Sequence, residues 1–159
     1  MDFQIIIGLL LTILPIFELR GGLPVIVEYA VRNNVSIWPW FILVLILNIF
    51  IIFFIFWFLD TLHERLMNTR FYRKIMDRYL SKIRKKADKL EKKMDNLGFL
   101  ALALFVAVPL PGTGAWTGTL VAWVLGLERW KSFLAIALGV SIAGLIILFA
   151  SLGIFMGFF

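Results

Sequence analysis

An all-α integral membrane protein is the fold class this sequence predicts, built as two inverted repeats. Each repeat is a re-entrant helical hairpin followed by one transmembrane helix. Three observations predict it. Hydrophobic residues make up 62% of the 159 and mean hydropathy is +0.96, where soluble domains hold roughly 45–50% apolar residues. A soluble core of this length cannot hide that much apolar surface, so lipid must cover it. Two apolar stretches are long enough to cross a bilayer, and two shorter ones are each broken by glycine and proline. The charge is gathered into one internal segment.

The long stretches are Trp38–Leu59, 22 residues with Asn48 as the one amide, and Ser132–Phe159, 28 residues without a charge. A hydrocarbon core of ~30 Å needs about 20 helical residues at a rise of 1.5 Å each. Trp38, Trp40, Trp57 and Trp130 lie near the expected ends, where indole rings favour the interface. Gly139, Ser141, Ala143 and Gly144 suit a close helix contact, within the chain or across a homodimer.

In the first half, Phe3–Phe17 is interrupted by Glu18-Leu19-Arg20-Gly21-Gly22-Leu23-Pro24 and resumes over Val25–Val31 around Glu28. In the second, Gly98–Val108 is interrupted by the ten residues from Pro109 to Gly118 and resumes over Thr119–Leu127. No arm is a comfortable span, so each pair reads as a hairpin that dips in and returns. A hairpin crossing zero times net, followed by one span, gives each repeat an odd number of crossings. The repeats (residues 1–59 and 98–159) must then be inverted, and two kinked full spans in place of a hairpin would leave that parity unchanged. Short, Gly/Pro-interrupted segments at matching places in two halves are the sequence pointer to a transporter's binding site.

Residues 60–97 carry 12 of the 16 Lys/Arg and 6 of the 10 Asp/Glu, hence the whole net charge of +6. A basic run first suggests nucleic acid. Between membrane segments, positive-inside orientation accounts for it better and puts residues 60–97 in the cytoplasm, with no nucleic-acid partner. Apolar residues at 71, 75, 79, 83, 87, 90, 94 and 97 make a helical stripe opposite the lysines and arginines. A straight helix would carry Gly98 about 50 Å from the membrane, so a bend is expected at Met67–Arg70. Beyond it, an interfacial amphipathic helix on anionic lipid is the simpler arrangement.

Several chemistries are disfavoured. Without cysteine there are no disulfides or thiolate sites, and the single histidine, His63, lies in a charged stretch and reads as solvated. No cofactor, metal or enzymatic activity is expected. The amino terminus lacks the basic residues of a cleaved signal, so its apolar segment is expected in the mature protein.

The candidate site lies at the two breaks. Ionisable groups at membrane depth cost at least ~2.5–3.5 kcal/mol at a helix centre, so Glu18 and Arg20 should face a cavity and do work. Gly21, Gly22 and Pro24 free backbone groups beside them, which is tolerated only inside protein or against water. The bland alternative is a charge pair, or an Arg20–carbonyl bond, that merely neutralises the loop. Pro109, Pro111, Gly112, Thr113, Gly114, Trp116, Thr117 and Gly118 supply backbone in place of charge. Amides from Gly112 to Ala115 at the start of the next half-helix would favour an anion. A cluster of carbonyls for a cation, or a tight packing turn, fits the same residue types. Glu28 is either a proton carrier or a solvated residue, and Asn48 suits an interhelical hydrogen bond.

The motifs Glu18–Pro24 and Pro109–Gly118 resemble those of the small multidrug export family over nearly the whole chain. More distantly the chain looks like the DedA (SNARE-associated, VTT) superfamily. That likeness implies paired re-entrant hairpins, proton coupling and translocation of polyprenyl-phosphate lipids, with Glu18 the coupling carboxylate and Arg20 a phosphate contact. The expected function is therefore a transporter or flippase for a small-molecule or lipid substrate, anionic or amphipathic. The alternative is a non-transporting scaffold that acts through its basic segment.

Overall fold

A computed structural model describes residues 3–69, 73, 97–110 and 112–157. The amphipathic stripe between residues 70 and 96 and the candidate Pro111 fall outside the described residues. Six helices lie within them: α1 (Phe3–Ile13), α2 (Glu18–Arg32), α3 (Trp38–Met67), α4 (Leu97–Ala107), α5 (Ala115–Val124) and α6 (Arg129–Gly157).

Helices α3 and α6 run 30 and 29 residues and are apolar enough to cross a membrane. Only 28% of the most apolar window of α3, and 39% of that of α6, is buried within the chain. A core helix of a soluble protein would be mostly covered. Here Phe50, Trp57, Trp130 and Phe149 stand outward, each more than 60% exposed, as a lipid-facing surface requires. Helix α3 continues past Leu59 to Met67, because the charges after Leu59 end the apolar run without ending the helix. It stops at Asn68, whose N–H bonds Arg65 O, within the expected bend.

The first break lies upstream of its expected place. Leu14–Phe17 is non-helical, and Glu18 is already the first residue of α2, so the interruption read at Glu18–Pro24 is corrected. Pro15 is the cause. It disfavours helical backbone at Leu14 and offers no N–H of its own. Gly21, Gly22 and Pro24 sit inside α2, and Gly22 serves packing. A Cβ there would overlap Thr12 Oγ1 and Gly8 O of α1, while one on Gly8 would come within 2.5 Å of Ile26 Cγ1. Gly22→Ala is therefore expected to force α1 from α2 and cost about 3 kcal/mol, the upper end for overpacking. Thermal unfolding in detergent should show a Tm about 6–12 °C lower.

The core exchanges partners between the halves. Helix α2 packs on α6 and α5 on α3, with α3 and α6 also in contact. Leu23, Ile26 and Val27 of α2 meet Val44 and Ile52 of α3 and Ile136 and Leu148 of α6 in one buried cluster. The small residues of α6 serve contacts within the chain. A Cβ at Gly139 would meet Ala103 O at 2.6 Å, and one at Gly144 would meet Leu45 and Leu19.

Candidate functional site

The second break runs from Val108 to Gly114 and separates two helix ends of opposite polarity. The last carbonyls of α4 and the first amides of α5 have no partners in their own helices. The amides of α5 are met by one charge from α2, and the loop between the two helices by another. The Glu18 carboxylate accepts the N–H of Ala115 at Oε2 (3.1 Å) and of Trp116 at Oε1 (3.0 Å). The Arg20 guanidinium donates through Nη2 to Thr113 O (2.8 Å), Thr113 Oγ1 (2.8 Å) and Val108 O (3.4 Å). The Thr113 hydroxyl donates on towards Val108 O (2.7 Å) or Leu110 O (3.0 Å). The anion thus sits on the positive end of α5, the arrangement helix dipoles favour, while the cation bonds the loop backbone between α4 and α5. Hydrogen bonds to charged groups are worth roughly 1.5–3 kcal/mol each.

The first break is capped in return by one donor from the other half and one from its own. Trp116 Nε1 donates to Ile13 O (3.1 Å), and Asn48 Nδ2 of α3 donates to Thr12 O (3.4 Å). These are the last two carbonyls of α1. The breaks therefore cap each other, as two facing interruptions should.

Local backbone sets the geometry. Glu18 has φ +49°, a left-handed conformation costing an ordinary residue roughly 1–2 kcal/mol. At 6% exposed it is buried at the turn into α2. Gly114 is the N-cap of α5 in an extended conformation. A Cβ on it would overlap the Glu18 carboxylate, so its lack of a side chain is what admits Glu18 to the amides. Gly112, at φ +83°, makes the turn, and among the described residues nothing stands within 4 Å of where its Cβ would be. Beside the carboxylate, Arg20, Asn48, Val106, Gly114 and Val140 enclose a cavity with room for about one water molecule.

Of the residues singled out from the sequence, Glu18, Arg20, Thr113, Gly114 and Trp116 come together here. Gly21, Gly22 and Pro24 belong to the body of α2, and Gly118 lets α5 approach Val106 of α4. Thr117 lies in α5 and Pro109 in the loop. Glu28 is two to three turns away on α2, paired with Arg32 (3.4 Å) and accepting from Gln4 (3.3 Å). A second cluster carried no sequence signal beyond residue type. Asp60, at the polar end of α3, accepts Trp123 Nε1 of α5 (3.0 Å) and pairs with Arg129 of α6 (2.6 Å). His63 meets the Trp123 ring edge-on, 5.4 Å between centroids, so it is not simply solvated.

No curated protein and no solved structure matches the chain. The family model described as "Putative small multi-drug export protein" matches residues 18–146. That match starts at Glu18 and takes in both capping charges, the whole second break and most of α6. With two long, lipid-facing apolar helices it marks a membrane protein with an export role, and the chain belongs to the small multi-drug export protein family.

Proposed function

We propose that this protein is a proton-coupled secondary transporter exporting a small anionic or amphipathic substrate, with the mutually capped breaks as its site. It does no covalent chemistry on its cargo. The observation that carries this is the Glu18 carboxylate of one half lodged on the Ala115 and Trp116 amides of the other. The seating of the chain's own carboxylate there supports an anion as the group those amides take. An anionic group of the substrate takes the amides and Arg20 in turn, while Glu18 carries a proton and withdraws. Neutralising Glu18 removes the charge that holds the halves together, so protonation and opening are linked. A lipid phosphate, which a resemblance of the two motifs to the DedA superfamily would imply, is one such anion.

Two inverted repeats with re-entrant hairpins suit this cycle. The α2–α6 and α5–α3 contacts correspond under exchange of the halves, as do the packing of α1 on Asn48 and of α4 on Gly139. Helices α1, α4 and α5 are each only about 15–17 Å long, roughly half the hydrocarbon core. The basic segment then lies in the cytoplasm by the positive-inside rule.

Efflux of the amphipathic anion 8-anilinonaphthalene-1-sulfonate and of the cation ethidium from proteoliposomes, under an imposed pH gradient, tests the reading. Saturable, gradient-dependent efflux of the anion is expected, reduced at least about tenfold by Arg20→Gln, the equivalent of 1.4 kcal/mol. Efflux of the cation alone, or anion efflux untouched by Arg20→Gln, would count against it.

A further inference from the structure

We propose that Asn48 is a positioning residue for the Glu18 proton. Its Oδ1 receives the carboxylic acid that forms when Glu18 is protonated, drawing Glu18 off the second half and onto the first. The inference rests on the proton step of the transport reading above and names the acceptor that step needs. The starting observation is an amide with one end in use. Asn48 lies at the middle of the apolar run of α3 and is 1% exposed. Its Nδ2 donates to Thr12 O of α1 (3.4 Å) and to Val44 O of its own helix (3.3 Å). Carbonyls can be met only by the NH2 group, so these two bonds fix the orientation of the amide. Among the described residues no donor meets Oδ1. Nor is that oxygen sealed in protein, for Asn48 lines the water-sized cavity beside Glu18. A buried acceptor without a donor is costly, and a donor arriving in the cavity would satisfy it.

Glu18 has the complementary need. As a carboxylate it accepts the Ala115 N–H at one oxygen (3.1 Å) and the Trp116 N–H at the other (3.0 Å). A proton placed on either oxygen in this position would face an N–H, donor against donor, so that bond must be given up. The new O–H then needs an acceptor within reach. Of the side chains that line the cavity, Arg20 carries donors only, and Leu19, Val106, Val140 and Ala143 are apolar. Asn48 supplies the acceptor. The cavity has room for about one water molecule, enough for a carboxyl oxygen to swing in.

No second acid or base faces this exchange. Residues 3–17, 38–59, 98–127 and 132–159 hold no ionisable side chain. The charged group beside Glu18 is Arg20 of its own helix, which keeps its proton and its bonds to Thr113. The proton comes from water, one O–H bond forms at Glu18, and no other group changes charge. Ionised, Glu18 is bonded across the halves to α5; protonated, it is bonded to α3 of its own half. The proton thus replaces a contact between the halves by one within the first. It leaves the Ala115 and Trp116 amides, with Arg20 beside them, open to a substrate anion.

Infrared difference spectroscopy of the full chain in detergent, on stepwise acidification, tests this without requiring transport. The acid C=O band of Glu18 is the one that Glu18→Gln removes. Asn48→Leu, similar in size but without an acceptor, should move the midpoint of that band about one pH unit to the acid side, the equivalent of one ordinary hydrogen bond made by the acid alone. Asn48→Thr, whose hydroxyl oxygen still accepts, should restore most of the shift. A leucine that acted only by drying the site would disfavour the charged form and move the midpoint the other way. Should Asn48→Leu not fold, the unaltered protein with carbon-13 in its asparagine side-chain carbonyls decides. A labelled amide band should fall in frequency as the Glu18 acid band appears, and should stay in place in Glu18→Gln. A midpoint unmoved or raised in Asn48→Leu, a labelled amide that does not respond, or no Glu18 acid band before the chain unfolds would overturn the assignment. The transport reading fails separately: absent efflux with the expected band shift removes the transporter and keeps Asn48 as the acceptor, whereas pH-dependent efflux with an unmoved midpoint does the reverse.

Discussion

Gly114→Ala is expected to abolish transport and to lower Tm by about 6–20 °C. The backbone of Gly114 is extended, a conformation alanine adopts freely, so the substitution introduces no conformational strain. All of its effect comes from where the methyl would stand. That position is occupied by the Glu18 carboxylate, and both cannot be present. Displacing the carboxylate leaves the Ala115 and Trp116 amides and the Arg20 charge without their counter-charge. Breaking a buried charged arrangement from one side costs about 3–5 kcal/mol, at 2–4 °C per kcal/mol for a chain of this size. Gly112→Ala is the control. Its φ of +83° penalises any side chain by roughly 1–2 kcal/mol, but a methyl there meets none of the described residues. It should lower Tm by about 2–8 °C and leave transport in proteoliposomes largely intact. If the two variants behave alike, the second break is only a turn and the scaffold reading gains.

The contrast between these glycines shows what a sequence can and cannot say here. Hydropathy alone is enough for α3 and α6, because 20 or more uncharged residues admit few other arrangements. It also places the start of the second break, where Pro109 follows Val108, but carries it on to Gly118 although α5 already begins at Ala115. It misplaces the first. Gly21, Gly22 and Pro24 carry the same residue signature as a break, yet they build the face of α2 that α1 packs against. The break itself follows from Pro15, one proline in an apolar run. A glycine that permits a turn and one that permits a close approach differ only in what stands opposite. The partner of Glu18 lies 97 residues along the chain, and no periodicity encodes that pairing. The chemistry of the site was visible as Glu18, Arg20 and a backbone-rich loop; the cross-capping that joins them was not.

Two substitutions at Glu18 separate its structural role from its transport role. Glu18→Ala removes the whole cap, and the amides, Arg20 and the water-sized cavity are left facing one another. Its Tm should fall about as far as that of Gly114→Ala, since both break the same arrangement. In the double variant the two losses should overlap instead of adding, because residues sharing one network do not act independently. Glu18→Gln keeps the size and one acceptor oxygen, so one of the two amide bonds survives and the chain should fold. The second amide faces an NH2 group, and no proton can be taken up or released. Transport is therefore expected to fall by at least about tenfold, the equivalent of 1.4 kcal/mol of lost coupling, and the remainder should no longer vary with pH. The pH profile of initial efflux rates, unaltered protein beside Glu18→Gln, reads this directly. A pH-dependent profile that survives the substitution would assign the coupling proton to another group. The remaining carboxylate of the first half in α2 is Glu28, and its pairing with Arg32 and Gln4 makes Glu28→Gln the next variant to measure. A flat profile with retained folding would tie proton and conformation to the carboxylate contact that joins the two halves at their breaks.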